Sequence, residues 1–192
     1  MTHHEIVDKV KSILNEHGKV DALSISDDRV QLENYIAVAI PDAVVMLASK
    51  GYRVNVIKST SIGETSCNAP GFISLVSVES PTWNRIVTTL TEVGSPEYIM
   101  AMNKFTAPNK NTPICYKTVE PILQGVTLHF IPDITAGETE VIFNTEYDGE
   151  NLKAEPKEAT AVCYMAAALV LGMFGDDQGK QRLSDICTNM LQ

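Results

Sequence analysis

The chain has 192 residues, of which 44% are hydrophobic and 20% charged, and a formal net charge of −9. Such figures describe one folded domain, or a domain with a large insertion, that is rich enough in apolar residues to build a core. The acidic balance excludes a surface reader of nucleic acid, which needs a basic stripe, and no run of like charge exceeds two residues.

Residues 3–17 predict an amphipathic helix, because Ile6, Val7, Val10, Ile13 and Leu14 recur at three- and four-residue steps and Gly18 follows. The same stretch is charged throughout, unlike a secretory leader. Ser26-Asp27-Asp28 reads as an N-cap with an acidic first turn, opening a longer helix from Arg29 to about Ser49. Pro41 predicts a kink or break one turn before it.

From Tyr52 to about Asn151 the period falls to two. Strands are expected at 52–56, 72–78, 113–119, 126–130 and 139–147, with 59–71 left as an irregular loop. Ser95-Pro96-Glu97 predicts the cap of a short helix through Met102. Pro156 then opens a helix containing Ala159–Phe174, a run without a charge. That run is too short and too rich in alanine to span a bilayer, so it reads as a core helix apolar on all sides. A last helix follows Gly175. The expected class is α+β: a helical hub built from residues 1–51 and 152–192, with an antiparallel β region, 52–151, inserted between them.

Little in the sequence points to catalysis. Cys67, Cys115, Cys163 and Cys187 lie far apart with no C-x-x-C pair, a pattern of reduced thiols rather than a disulfide framework. Gly175–Lys180 has one residue too few for a phosphate loop and Gln181 where a hydroxyl is needed. His3-His4 lacks partners at metal-ligand spacing, so neither a metal nor a cofactor is expected. A small enzyme or ligand-binding module using Cys115 and His129 stays as the alternative. The aromatics Trp83, Tyr98 and Phe105 fall in or beside irregular segments, where contact residues concentrate, and are the candidate subunit-interface residues. The competing reading has them plugging the edge of the β core.

The layout resembles a known family. A long helix over 27–49, a β region carrying Trp83 and the S-P-x-Y of Ser95–Tyr98, and a closing helix with Pro156, Ala159 and Ala166-Ala167 are followed by Arg182-Leu183. The order is similar to that of the head-to-tail adaptor proteins of short-tailed bacteriophages, also called connector-ring or gatekeeper proteins, with the ring proteins of crAss-like phages the nearest in flavour. The resemblance covers nearly the whole chain and rests on layout rather than on a diagnostic motif. It implies a non-enzymatic virion subunit, typically a dodecamer, made in the host cytoplasm and placed in the phage neck. The partners it implies are further copies of itself, the portal, and other neck and tail proteins, with DNA passing through the channel unread and no membrane involved. Some family members carry a C-terminal tail that climbs the portal, whereas this sequence stops at Gln192, so portal and neighbouring ring both stay open as docking partners.

Overall fold

A computed structural model describes residues 1–17, 29–59, 62–120 and 125–192. The protein is α+β. Among the described residues there are five helices: α1 (His3–Glu16), α2 (Arg29–Ser49), α3 (Pro96–Met102), α4 (Pro156–Met173) and α5 (Asp177–Leu191). The strands are β1 (Val56–Lys58), β2 (Ser66–Ala69), β3 (Phe72–Glu79), β4 (Ile114–Glu120), β5 (Gly125–Ile131) and β6 (Glu140–Thr145). They form two antiparallel sheets, ordered β1-β6-β3 and β2-β5-β4. Two compact units divide the chain, one from Met1–Asn55 with Glu146–Gln192 and the other from Val56–Thr145.

The first unit is helical and centred on α4, against which α1, α2 and α5 all pack. Helix α1 begins with a reciprocal cap: the Glu5 N–H donates to Thr2 Oγ1, and the Thr2 N–H to Glu5 Oε2 at 2.8 Å. Ile6, Val7, Val10, Ile13 and Leu14 then turn inward. Pro156 occupies the first turn of α4, and ten residues of this helix, Ala161 to Ala168 prominent among them, are buried. No single stripe accounts for them, as an all-round apolar helix requires. Gly175, at φ +77°, ends α4 in the left-handed region. Asp176 Oδ1 accepts from the Gly179 N–H at 3.0 Å and caps α5. A Cβ on Gly179 would lie 2.7 Å from Leu171 Cδ1, so the glycine that suggested a phosphate loop serves close helix approach.

Asn55 closes this unit where the chain leaves and re-enters it. Its side chain is buried; Nδ2 donates to Glu146 O at 2.9 Å and Oδ1 accepts from the Lys153 N–H at 3.0 Å. The unit boundaries therefore fall at 55/56 and 145/146, a few residues inside the expected 51/52 and 151/152.

The second unit has a single core that draws on both sheets. Val78, Val141 and Phe143 come from one, and Cys67, Ala69, Cys115, Leu128 and Phe130 from the other. β3, β4, β5 and β6 lie where alternation places them. Two strand expectations fail. The strand expected at 52–56 begins only at Val56, since Asn55 is spent on the helical unit. The expected loop 59–71 contains β2, whose Ser-Cys-Asn-Ala shows little apolar signal but pairs with β5 from Ser66↔His129 to Ala69↔Val126. Helix α2 is continuous through Pro41, so of the expected kink or break there is no break. Gly18 and the cap expected at Ser26–Asp28 lie outside the described residues.

Candidate interaction surface

Ser95 starts α3: its Oγ accepts from the Tyr98 N–H at 3.2 Å, and Pro96 fills the first helical position. The helix has seven residues, and five in succession, Tyr98-Ile-Met-Ala-Met102, are apolar or aromatic. Two turns cannot hide five such residues on one face. Ala101 is buried and Tyr98 half-buried, which leaves Ile99, Met100 and Met102 facing solvent, Ile99 at 62%. Val93, just before the helix, is exposed as well.

The chain beyond α3 presents Phe105, 83% exposed, in a defined turn. The Phe105 N–H donates to Asn103 Oδ1 at 3.0 Å, and the Thr106 hydroxyl donates to Met100 O at 2.7 Å. Lys104 Nζ stands 4.9 Å from the centroid of the Phe105 ring. α3 is fastened to the sheet beside it by rings. Tyr98 meets Tyr116 edge-on at 5.1 Å, and Tyr116 stacks on His129 at 4.8 Å. Burial raises the Tyr116 phenol above its ordinary range. His129 Nε2 lies 2.8 Å from Thr118 Oγ1. The result is a set of exposed aliphatic, thioether and aromatic groups on one short helix and the turn after it, held on an ordered frame. Exposed apolar patches of that kind mark contacts with other proteins.

The three aromatics singled out in the sequence therefore part company. Phe105 is presented outward, and Tyr98 is the root of the patch. Trp83 is corrected: it is only 6% exposed, its indole Nε1–H donates to Pro132 O at 3.1 Å, and it meets Phe130 edge-on at 6.3 Å. A ring already enclosed by its own core cannot anchor a neighbour. Ile99, Met100, Met102 and Val93 were missed, although the length of α3 against its apolar content was there to read.

Cys115 and His129 do not form a couple. Cys115 pairs with Phe130 and shares its inward face, whereas His129 pairs with Tyr116 on the outward one. Burial pushes the Cys115 thiol far above its ordinary value, the reverse of an activated nucleophile. A cleft of about 520 Å³ borders the same unit, lined by Trp83, Arg85, Glu79, Glu138 and Glu140 among others. Glu79 and Glu140 face each other across the ladder, and Lys58 pairs with Glu140.

The helical unit carries a second apolar surface. α2 buries Ile36, Ala39, Ile40, Ala43, Val44, Leu47 and Ala48 on one side. On the other it exposes Tyr35, Val38, Val45 and Met46, with Val38 at 60%. Phe174 meets Tyr35 edge-on at 5.0 Å and, with Met173, extends this face. Within α2, Leu32–Ser49 is long and apolar enough to cross a membrane by length and composition, and 39% of that window is buried. No protein-family model and no curated protein sequence matches the chain.

Proposed function

We propose that the protein is a structural ring subunit, a head-to-tail adaptor of a short-tailed bacteriophage that assembles below the portal and surrounds the DNA channel. The observation that carries this reading is the ordered, outward-facing patch of Ile99, Met100, Met102 and Phe105, a surface built for contact with protein. Each unit offers a distinct apolar face, and a closed ring needs two different patches per copy, because its contacts are heterologous. A net charge of −9 suits a channel wall along which DNA phosphates must slide without adhering. The placement of Cys115 and His129 on opposite sheet faces speaks against the enzymatic alternative.

Negative-stain imaging and mass photometry of the purified protein, alone and mixed with portal, test this proposal. Closed rings, or ring formation on the portal, are expected. Phe105→Ala should abolish them while leaving the far-UV spectrum and melting curve unchanged. A protein that stays monomeric in both settings at tens of micromolar overturns the ring reading.

A further inference from the structure

We infer that the partner of the α3–Phe105 lobe is the outer face of α2 on the next copy of the same chain, with Lys104 of one copy opposite Asp42 of the other. This rests on the ring reading and deepens it by naming the two halves of the boundary.

Charge selects the pair. Two copies of a chain with net charge −9 repel, so a boundary between them needs local regions of opposite sign. The lobe from Glu92 to Thr112 holds Glu92 and Glu97 before and at the start of α3 and Lys104 and Lys110 after it, so its positive end is the one that carries Phe105. Residues 32–49 contain Glu33 and Asp42 and no lysine or arginine. Glu33 is already paired with Lys11 of α1. Asp42 is exposed in the middle of the α2 face, four residues after Val38 and three before Val45. It makes no ion pair among the described residues. Lys104 sits against Phe105, at the centre of the other patch. The charge beside Phe105 and the charge in the middle of the α2 face are thus opposite.

Chemistry agrees with charge. Met100, Met102 and Phe105 on one side, and Met46 and Tyr35 on the other, are the flexible, polarisable and aromatic groups that fill an interface core, with Val38 and Val45 adding aliphatic area. The α2 window is apolar enough for lipid, but a carboxylate midway along its exposed face is costly in hydrocarbon and useful at a protein boundary.

The test is a pair of charge reversals in the full-length protein, Asp42→Lys and Lys104→Glu, with the melting curve of each checked against wild type. Both positions are exposed, so folding should be unchanged. Each single variant places like charges at every boundary, and its ring yield should fall about tenfold or more at 0.15 M salt. An equimolar mixture of the two restores opposite charges at every boundary of an alternating ring. It should recover rings to within about threefold of wild type, as should the Asp42→Lys/Lys104→Glu double variant. Singles that assemble like wild type, or a mixture that fails while wild type assembles, overturn this pairing and leave the ring reading standing. Wild-type protein that never assembles overturns both. Flotation with phosphatidylcholine–phosphatidylglycerol vesicles that is lost in Val38→Asp assigns the α2 face to lipid and overturns the pairing.

Discussion

Trp83 and Phe105 look alike in the sequence, each an aromatic in a stretch without periodicity, and the fold sends them opposite ways. What separates them is remote in the chain: a carbonyl at Pro132 for the Trp83 indole and the ring of Phe130 beside it. No local pattern encodes those partners, so burial of Trp83 was not legible, whereas the cap of α3 at Ser95-Pro96 was. The consequence can be measured. Trp83→Ala leaves a large cavity and should cost the β unit about 3–5 kcal/mol, lowering its melting transition by about 12 °C or more. Phe105→Ala should change stability by less than about 0.5 kcal/mol. Equal melting of the two variants would overturn the distinction. The cysteines follow the same logic, since burial pushes Cys67, Cys163 and Cys187 up to about 11. At pH 8 only about a thousandth of each is thiolate, and enclosure blocks reagent as well. Ellman's reagent should titrate none of the four thiols in the native protein and all four in guanidinium; rapid native labelling of any would show its site to be open.

At the scale of elements, legibility followed the strength of the period. α1, α4 and α5, with long apolar repeats, sit within a residue or two of where the pattern places them. β2 carries no such repeat; its edges are supplied by β5, and only pairing makes it a strand. Pro41 leaves α2 unbroken, because the inner stripe is apolar on both sides of it and packs against α4. α4 is the element with least tolerance. Ala167 is fully enclosed, and a carboxylate there would have neither water nor a partner. Ala167→Asp should therefore yield no soluble folded protein, or one whose far-UV helical signal has lost its cooperative melt. A native-like transition in that variant would remove α4 from the centre of the helical unit.

At the scale of the molecule, the β unit is an insertion whose two ends lie side by side, paired at Val56↔Asn144 and flanked by the Asn55 side chain. Asn55 Nδ2 reaches Glu146 O at 2.9 Å, so the exit and re-entry points of the chain are neighbours. Helices α1, α2 and α5, which pack on α4, all come from outside the insertion. Replacing Val56–Thr145 by a short Gly-Ser linker costs only modest loop-closure entropy, about 1 kcal/mol or less relative to an optimal loop. The resulting protein should be all-α, monomeric and cooperative in its melt. It would keep the α2 face with Asp42 and lack the lobe with Lys104 and Phe105. Such a subunit can receive a neighbour but cannot reach the next, so each copy incorporated stops growth in one direction. Added to wild type at about one part in ten, it should replace closed rings by open arcs and lower the ring count several-fold, read directly by negative-stain imaging. An unfolded deletion protein would mean that the helical unit needs its insertion. A folded one that leaves wild-type rings untouched would mean that the α2 face receives nothing.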